Sequence, residues 1–282
     1  MNYHSDEWIK SEMREHLEES ITRRHGHRIV GLFYQGSGNY GLDTANSDVD
    51  TKLIMVPGFR DIAMNNSPIS TTHVRDNDAH TDEKDIRLYI DTFRKQNLNF
   101  LEILFTPYYY LRDDFAEQWH RLIDAREDIA HMNLYRAVQS MYGIAKEKYH
   151  AFDHPYPSKV EVLAHYGYDP KQLHHQLRVE EYISRYIDGE RYEYCLISRF
   201  PDYLINVKQG CYDLHEAIRV REESMKRIDA MCKAFLSKTS REENQDTLEL
   251  LRDVQYQIMK IAVVRELDRD ERNSPINFYW KG

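Results

Sequence analysis

The stretch GSGNYGLDTANSDVD, residues 36–50, decides the fold. Asp48 and Asp50 stand two apart at the head of a predicted strand, DVDTKLIMV (48–56), which Pro57 stops. Successive strand side chains alternate faces, so both carboxylates project from the same side of the sheet. Two carboxylates that close repel each other, and a divalent cation relieves the repulsion in a site that handles polyphosphate. Gly36-Ser37 closes the preceding run, Ile29 to Tyr34, whose length and β-branched and aromatic content predict a buried strand. A glycine at that strand end lets backbone N–H groups approach phosphate oxygens, and Ser37 adds a hydroxyl donor.

The same segment also fits G-x-G-x-x-G, through Gly36, Gly38 and Gly41. That dinucleotide fingerprint requires a full helix after the glycines and an acidic residue about 20 positions further on. Here the acidic pair begins seven residues after Gly41, and no crossover helix fits in the gap. A Rossmann site is excluded.

Outward from this segment the pattern changes character. Residues 6–25 carry Trp8, Ile9, Met13, Leu17 and Ile21 at helical spacing. Residues 58–82 are polar and read as an excursion along the site edge or an irregular hairpin. KDIRLY (84–89) is the predicted third strand, and 91–104 turns helical. Beyond residue 112 the spacing is mostly helical, near 113–126, 131–150, 171–188, 212–237 and 242–267. AFDHPYPSK (151–159) is the best linker there. The expected class is α/β (α+β), with two parts. A small mixed-sheet head flanked by helices occupies 1–111, and a mainly helical domain, 112–282, closes a cleft against it.

The 282 residues carry a net charge of −9, so the basic surplus that usually accompanies binding of long nucleic acid is absent. Long DNA is disfavoured as a partner, and nucleotides, short RNA or small hydroxyl compounds are favoured. Cys195, Cys211 and Cys232 form no C-x-x-C pair, which argues against a disulfide framework or a cysteine zinc site. No apolar run approaches the roughly 20 residues that span a bilayer, and the charged N-terminus lacks a signal-peptide core. A soluble cytoplasmic protein is expected.

For the chemistry, Asp85 heads the predicted third strand and supplies the expected third carboxylate. Asp82 and Asp91 lie close to it in sequence. Three carboxylates on adjacent strands suit two Mg²⁺ or Mn²⁺ ions about 3.5–4 Å apart, one activating a hydroxyl and one holding the triphosphate. Asp48 and Asp50 would bind both ions, and Asp85 the one beside the nucleophile. Further along, Asp169 and Pro170 read as the N-cap and first residue of a helix. Lys171, His175 and Arg178 then share one helical face, a clamp for the triphosphate, and Tyr182 continues it as a stacking platform. His165, His174 and His175 are a poor metal cluster, because adjacent histidines point apart. Tyr108-Tyr109-Tyr110 line the cleft or pack in a loop, and Asn97, Asn99 and Glu102 are assigned structural roles.

These motifs resemble the DNA polymerase β nucleotidyltransferase superfamily, whose signature is G-S, then D-x-D, then a later Asp. GSGNYGLDTANSDVD is similar to the G-S-x-x-Y-G-L-x-x-x-x-S-D-x-D form of predicted nucleotidyltransferases grouped with RNA-repair ligases. KDIRLYIDTFRKQNLNFLEILF (84–105), GYDPKQLHHQLR (167–178) and VKQGCYDLHEA (207–217) resemble further segments of that branch. Leu98 departs from it, standing where a proline is expected, and 58–82 matches none of its segments. The resemblance implies a five-stranded mixed sheet, nucleotide binding by Gly36, Ser37, Tyr40, Lys171, His175 and Arg178, and Mg²⁺-dependent transfer of NMP from an NTP, such as ATP, to a hydroxyl acceptor. RNA repair is an association of the branch. The alternatives are a non-catalytic nucleotide-binding regulatory module and a toxin-like enzyme that modifies protein or tRNA.

Overall fold

The structure, a computed structural model, describes residues 3–24, 28–75, 77–268 and 277–282. The expected first helix therefore reaches one residue, 25, beyond the described part. Helix α1 (Asp6–Arg24) is followed by β1 (Ile29–Gln35), a 3₁₀ turn at Ser37–Tyr40, and β2 (Asp50–Met55). Strands β1 and β2 are antiparallel, pairing Gln35 with Asp50 and Tyr34 with Thr51. The end of the Gly36-Ser37 strand is thereby laid beside the start of the aspartate strand.

The polar excursion is ordered. It contains a short α2 (Phe59–Ala63) and β3 (Ser70–Val74), which forms a hairpin with β4 (His80–Asp85). Strand β4 runs parallel to β2, with Thr51 beside Thr81 and Met55 beside Asp85. The third strand thus lies earlier than its apolar signal suggested, because Ile86 already begins α3 (Ile86–Arg94). Its sequence, HTDEKD, hides the strand because polar residues line even its buried face. Thr81 bonds to Thr51 and His16, and Glu83 accepts from Arg23 and Arg24 of α1. The predicted helix 91–104 is likewise divided. Gln96 adopts a left-handed φ of 56°, and Asn97 caps α4 (Leu98–Leu101), which runs into a 3₁₀ turn at Glu102–Leu104.

Strand β5 (Tyr109–Arg112) returns to the free side of β1. The helices then follow as α5 (Asp113–Asp124), α6 (Arg126–Ala130), α7 (Leu134–Ala151), α8 (Val160–Tyr166), α9 (Pro170–Ile187), α10 (Tyr192–Leu196), α11 (Pro201–Lys208), α12 (Leu214–Leu236) and α13 (Gln245–Leu267). The chain ends on β6 (Phe278–Lys281), paired with β5. Among the described residues the sheet therefore has six strands, ordered β3-β4-β2-β1-β5-β6, not five. The four residues of β6 carry too short a pattern to reveal this strand from sequence.

One sheet face packs Leu32, Tyr34, Leu53 and Met55 against Ile9, Met13 and Leu17 of α1. The other sends Val30, Phe33 and Ile54 into a larger core shared with α3, α5 and the helices that follow. Val30 and Leu32 reach opposite faces because the register slips between Ile29 and Gly31. Gly31 fits there because a Cβ would stand 2.9 Å from the Tyr110 carbonyl. No helix of the described residues is long and apolar enough to cross a membrane.

Candidate active site

Between the β1–β2 edge and α9 lies a cavity of about 700 Å³. Gly36 turns the chain out of β1 with φ 128°, and Gly41 ends the 3₁₀ turn with φ 67°, both in the region that disfavours side chains. The Leu42 N–H donates to the Ser37 carbonyl at 3.0 Å, closing the turn. The Ser37 hydroxyl donates to Ser47 Oγ at 3.3 Å, and the Thr44 N–H donates to the same oxygen at 2.9 Å. Gly36, Ser37 and Tyr40 thereby meet Asp48 and Asp50 on one wall of the cavity.

Val49 is buried on the α1 side of the sheet, which turns Asp48 and Asp50 together to the cavity. Burial, and then the charge of Asp48, push the Asp50 carboxyl above its ordinary range. Such a pair invites a cation. Its nearest protein donor is His80, which stands beside Asp50 in the strand register. The His80 N–H donates to Asp50 Oδ1 at 2.8 Å, and its Nδ1 lies 3.4 Å from the same oxygen.

Asp85 does not join this site. Lys52 and Asp82 meet at 3.0 Å, so the even-numbered residues of β4 share the face of Asp50, and Asp85 has the opposite parity. It also lies at the far end of the strand, beside Met55. There it caps α3, accepting from the Arg87 N–H at 2.9 Å, and pairs with the Arg87 guanidinium at 2.7 Å. The carboxylate next along the site face is Asp82, neutralised by Lys52 and accepting from Thr72 at 2.6 Å. Among the described residues, no group of three or more His, Cys, Asp or Glu forms a metal-holding cluster. The expected three-carboxylate arrangement is replaced by a pair, Asp48 and Asp50.

The opposite wall comes from α9, which Asp169 caps by accepting from the Lys171 N–H. Lys171, His175 and Arg178 all line the cavity, as their spacing required. They differ in character. Lys171 is exposed and acts electrostatically on Asp50. Burial, then His174 and the neighbouring cations, lower the pKa of His175 well below its ordinary value. The Arg178 guanidinium sits 3.4 Å from the centre of the Tyr40 ring, a cation–π contact that ties α9 to the phosphate turn. Tyr182 is no stacking platform. It is buried and packs on Tyr186 and Tyr192. Tyr108, Tyr109 and Tyr110 are buried around β5, away from the cavity. His174 is buried, with its Nδ1 2.8 Å from the Leu204 carbonyl.

Several cavity residues escaped the reading of the sequence, among them Lys148 of α7. Lys208, at the end of α11, directs Nζ to the Ser47 hydroxyl at 3.4 Å and the Leu42 carbonyl at 3.5 Å. Burial lowers its pKa, as does Lys171, while Asp48 and Asp43 oppose the shift. Its signal lay in VKQGCYDLHEA, whose resemblance drew attention to the turn rather than the lysine. Glu102 was assigned to structure, yet it lines the cavity. Its carboxyl is 3% exposed, and burial pushes its pKa up to about 8 although Arg178 opposes this.

A mixed sheet whose first antiparallel pair sets G-S against D-x-D defines the polymerase β nucleotidyltransferase superfamily. The chain matches RlaP, the RNA repair pathway DNA polymerase beta family, over residues 9–180, and belongs to that family. The match runs from α1 into α9, taking in Asp48, Asp50, Lys171, His175 and Arg178, and ends before Lys208. No curated protein gave a significant match.

Proposed function

We propose that this protein transfers the NMP moiety of an NTP to a hydroxyl acceptor, with release of pyrophosphate. The observation that carries the reading is the Asp48/Asp50 pair, which has no lysine or arginine within ion-pair distance among the described residues, facing a phosphate turn and the lysines Lys148, Lys171 and Lys208 across one cavity. The donor set suits Mg²⁺ or Mn²⁺. Magnesium characteristically takes one or two protein carboxylates and completes its shell with waters and substrate phosphates. Asp48 and Asp50 would hold it. When bound, the ion neutralises phosphate charge and polarises the α-phosphorus toward attack.

The remaining chemistry belongs to side chains of this chain. Ser37, with backbone N–H groups of the turn, receives phosphate oxygens. Lys208 and Lys171 supply positive charge opposite the carboxylates, where a triphosphate carries most negative charge. Tyr40 and Arg178 brace the turn against α9, so that it approaches substrate as a fixed surface. The head, 1–111, thus supplies the carboxylates, and the part from 112 onward supplies the cations. The acceptor oxygen attacks the α-phosphorus as the bond to the pyrophosphate oxygen breaks, and the hydroxyl proton passes to water. An RNA end is the acceptor that the family's RNA-repair association favours.

The test is pyrophosphate release from each NTP, with Mg²⁺ or Mn²⁺, against RNA ends and small hydroxyl acceptors. Metal-dependent release that is lost in Asp48→Ala/Asp50→Ala supports the reading. Binding of NTP without release in any acceptor pool would make the protein a nucleotide-binding module instead.

A further inference from the structure

Residues 42–47 join the phosphate turn to Asp48, and Ser47 is their node. Its Oγ accepts from the Ser37 hydroxyl and the Thr44 N–H, and Lys208 Nζ reaches it at 3.4 Å. The residues that precede α1 hold the same loop from outside the cavity. The His4 N–H donates to Asp43 Oδ2 at 3.1 Å, and His4 Nε2 donates to the Thr44 carbonyl, also at 3.1 Å. A carbonyl only accepts, so Nε2 carries the proton. The base beneath His4 is firm. Its ring stacks on Trp8 with centroids 3.9 Å apart, and the Trp8 N–H donates to Ser5 Oγ at 3.3 Å. Ile9 and Met13 pack α1 into the core, and the Tyr108 hydroxyl donates to Asp6 at 2.6 Å. Asp43 makes the contact costly to lose. It is 6% exposed, its Oδ1 has no hydrogen-bond partner, and Oδ2 accepts from the His4 N–H. Withdrawing that donor strips a buried carboxyl of a hydrogen bond it has few ways to replace. Asp43 also favours the charged form of Lys208.

We propose that His4 is a positioning residue for the phosphate site, latching residues 43–47 so that Ser47 holds Ser37 and Lys208 in place. The path runs through hydrogen bonds, from His4 to Thr44, from Thr44 to Ser47, and from Ser47 to Ser37 and Lys208. His4 lies outside the cavity lining, so it acts only through this path. Donors fixed before the ligand arrives bind it without paying to be ordered. Releasing the latch therefore weakens phosphate binding although no phosphate contact is deleted. This rests on the proposed phosphate site and adds the residue outside it that sets its geometry. Such coupling is reciprocal: ligand in the cavity tightens the latch by the factor by which the latch tightens the ligand.

Equilibrium binding of inorganic tripolyphosphate to the full chain in Mg²⁺ is the test. His4→Ala should weaken binding about tenfold, within the range by which residues off a site modulate it. His4→Gln keeps a side-chain N–H for the Thr44 carbonyl and should recover the larger part of that loss. Because His4 acts through Ser47, the effect of His4→Ala should shrink to about twofold or less when Ser47→Ala is already present. A merely structural role would lower the denaturation midpoint of His4→Ala and leave its affinity unchanged. A further measurement needs no variant to fold. In the wild-type chain, saturating tripolyphosphate should slow hydrogen exchange of the His4 amide by about the same tenfold factor. Wild-type affinity in His4→Ala, losses that simply add to those of Ser47→Ala, or unaltered exchange at His4 would each overturn the inference. A wild-type chain that does not bind tripolyphosphate would instead bring down the phosphate site itself, and the latch with it.

Discussion

The two ends of the β2–β4 strand pair make opposite use of aspartate. At one end Asp48 and Asp50 face a cavity, and the groups nearest them are a backbone N–H, a histidine and cations across open space. At the other, Asp85 is 3% exposed, capped on α3 and paired with Arg87, while nearby Asp61 pairs with Arg28 at 2.9 Å. The residue type is the same and the strands are the same. What differs is whether the fold itself supplies the counter-charge. An aspartate already neutralised by an arginine is part of the framework; one left without such a partner beside a phosphate turn is available to an ion and its substrate.

The contrast is broken most forcefully at the open end. Asp48→Ala combined with Asp50→Ala should reduce metal-dependent pyrophosphate release by about 10³-fold or more, the scale on which removing charge-stabilising groups acts, with the circular dichroism spectrum unchanged. Retained turnover would sink the assignment.

The next effect is on stability and concerns Glu102. Its folded-state pKa, raised to about 8, exceeds the ordinary glutamate value, so between these values the folded chain holds a proton that the unfolded chain releases. The contribution of this group is therefore full below the ordinary value and is lost as pH rises through about 8. Glu102→Gln removes the titration. Denaturant titrations should show a flatter stability profile between pH 5 and 8, with a gain of roughly 2–4 kcal/mol at the alkaline side. An unchanged slope would mean that the carboxyl is ionised in the fold.

Lys208 sharpens the comparison from across the cavity. Lys208→Ala should raise the nucleotide KM about tenfold, the loss of roughly 1.4 kcal/mol of charge-assisted contact, with a smaller change in kcat. A KM within twofold of wild type would remove it from the phosphate site.

The smallest effect belongs to the closed end. Asp85→Ala should cost about 1–2 kcal/mol of stability through the lost cap and ion pair, read as a lowered denaturation midpoint. Pyrophosphate release per folded molecule should stay within twofold of wild type.

How much of this was legible follows from what each signal measures. Gly36-Ser37 and Asp48-x-Asp50 were readable because they are local. A short apolar strand, a turn that needs positive φ and a two-residue spacing are properties of consecutive residues. Lys171, His175 and Arg178 were readable by helical spacing, although only the structure distinguished an exposed lysine from an arginine stacked on Tyr40. Asp85 misled because DIRLY has a strand's composition, yet Ile86 already belongs to a helix. The true strand, HTDEKD, carries no apolar period, because its buried face is satisfied by hydroxyls and arginines of α1. Parity and register are tertiary facts, and they decide which aspartate faces the cavity. Lys208 and β6 arrive from distant segments, and no local pattern announces where they dock.

The most direct test of the open-end and closed-end distinction is Mn²⁺ binding followed by electron paramagnetic resonance, with tripolyphosphate present, in wild type, Asp50→Asn and Asp85→Asn. The account predicts that Asp50→Asn weakens Mn²⁺ binding at least tenfold, while Asp85→Asn binds as the wild type does. Loss of Mn²⁺ binding in Asp85→Asn, with Asp50→Asn unaffected, would contradict it.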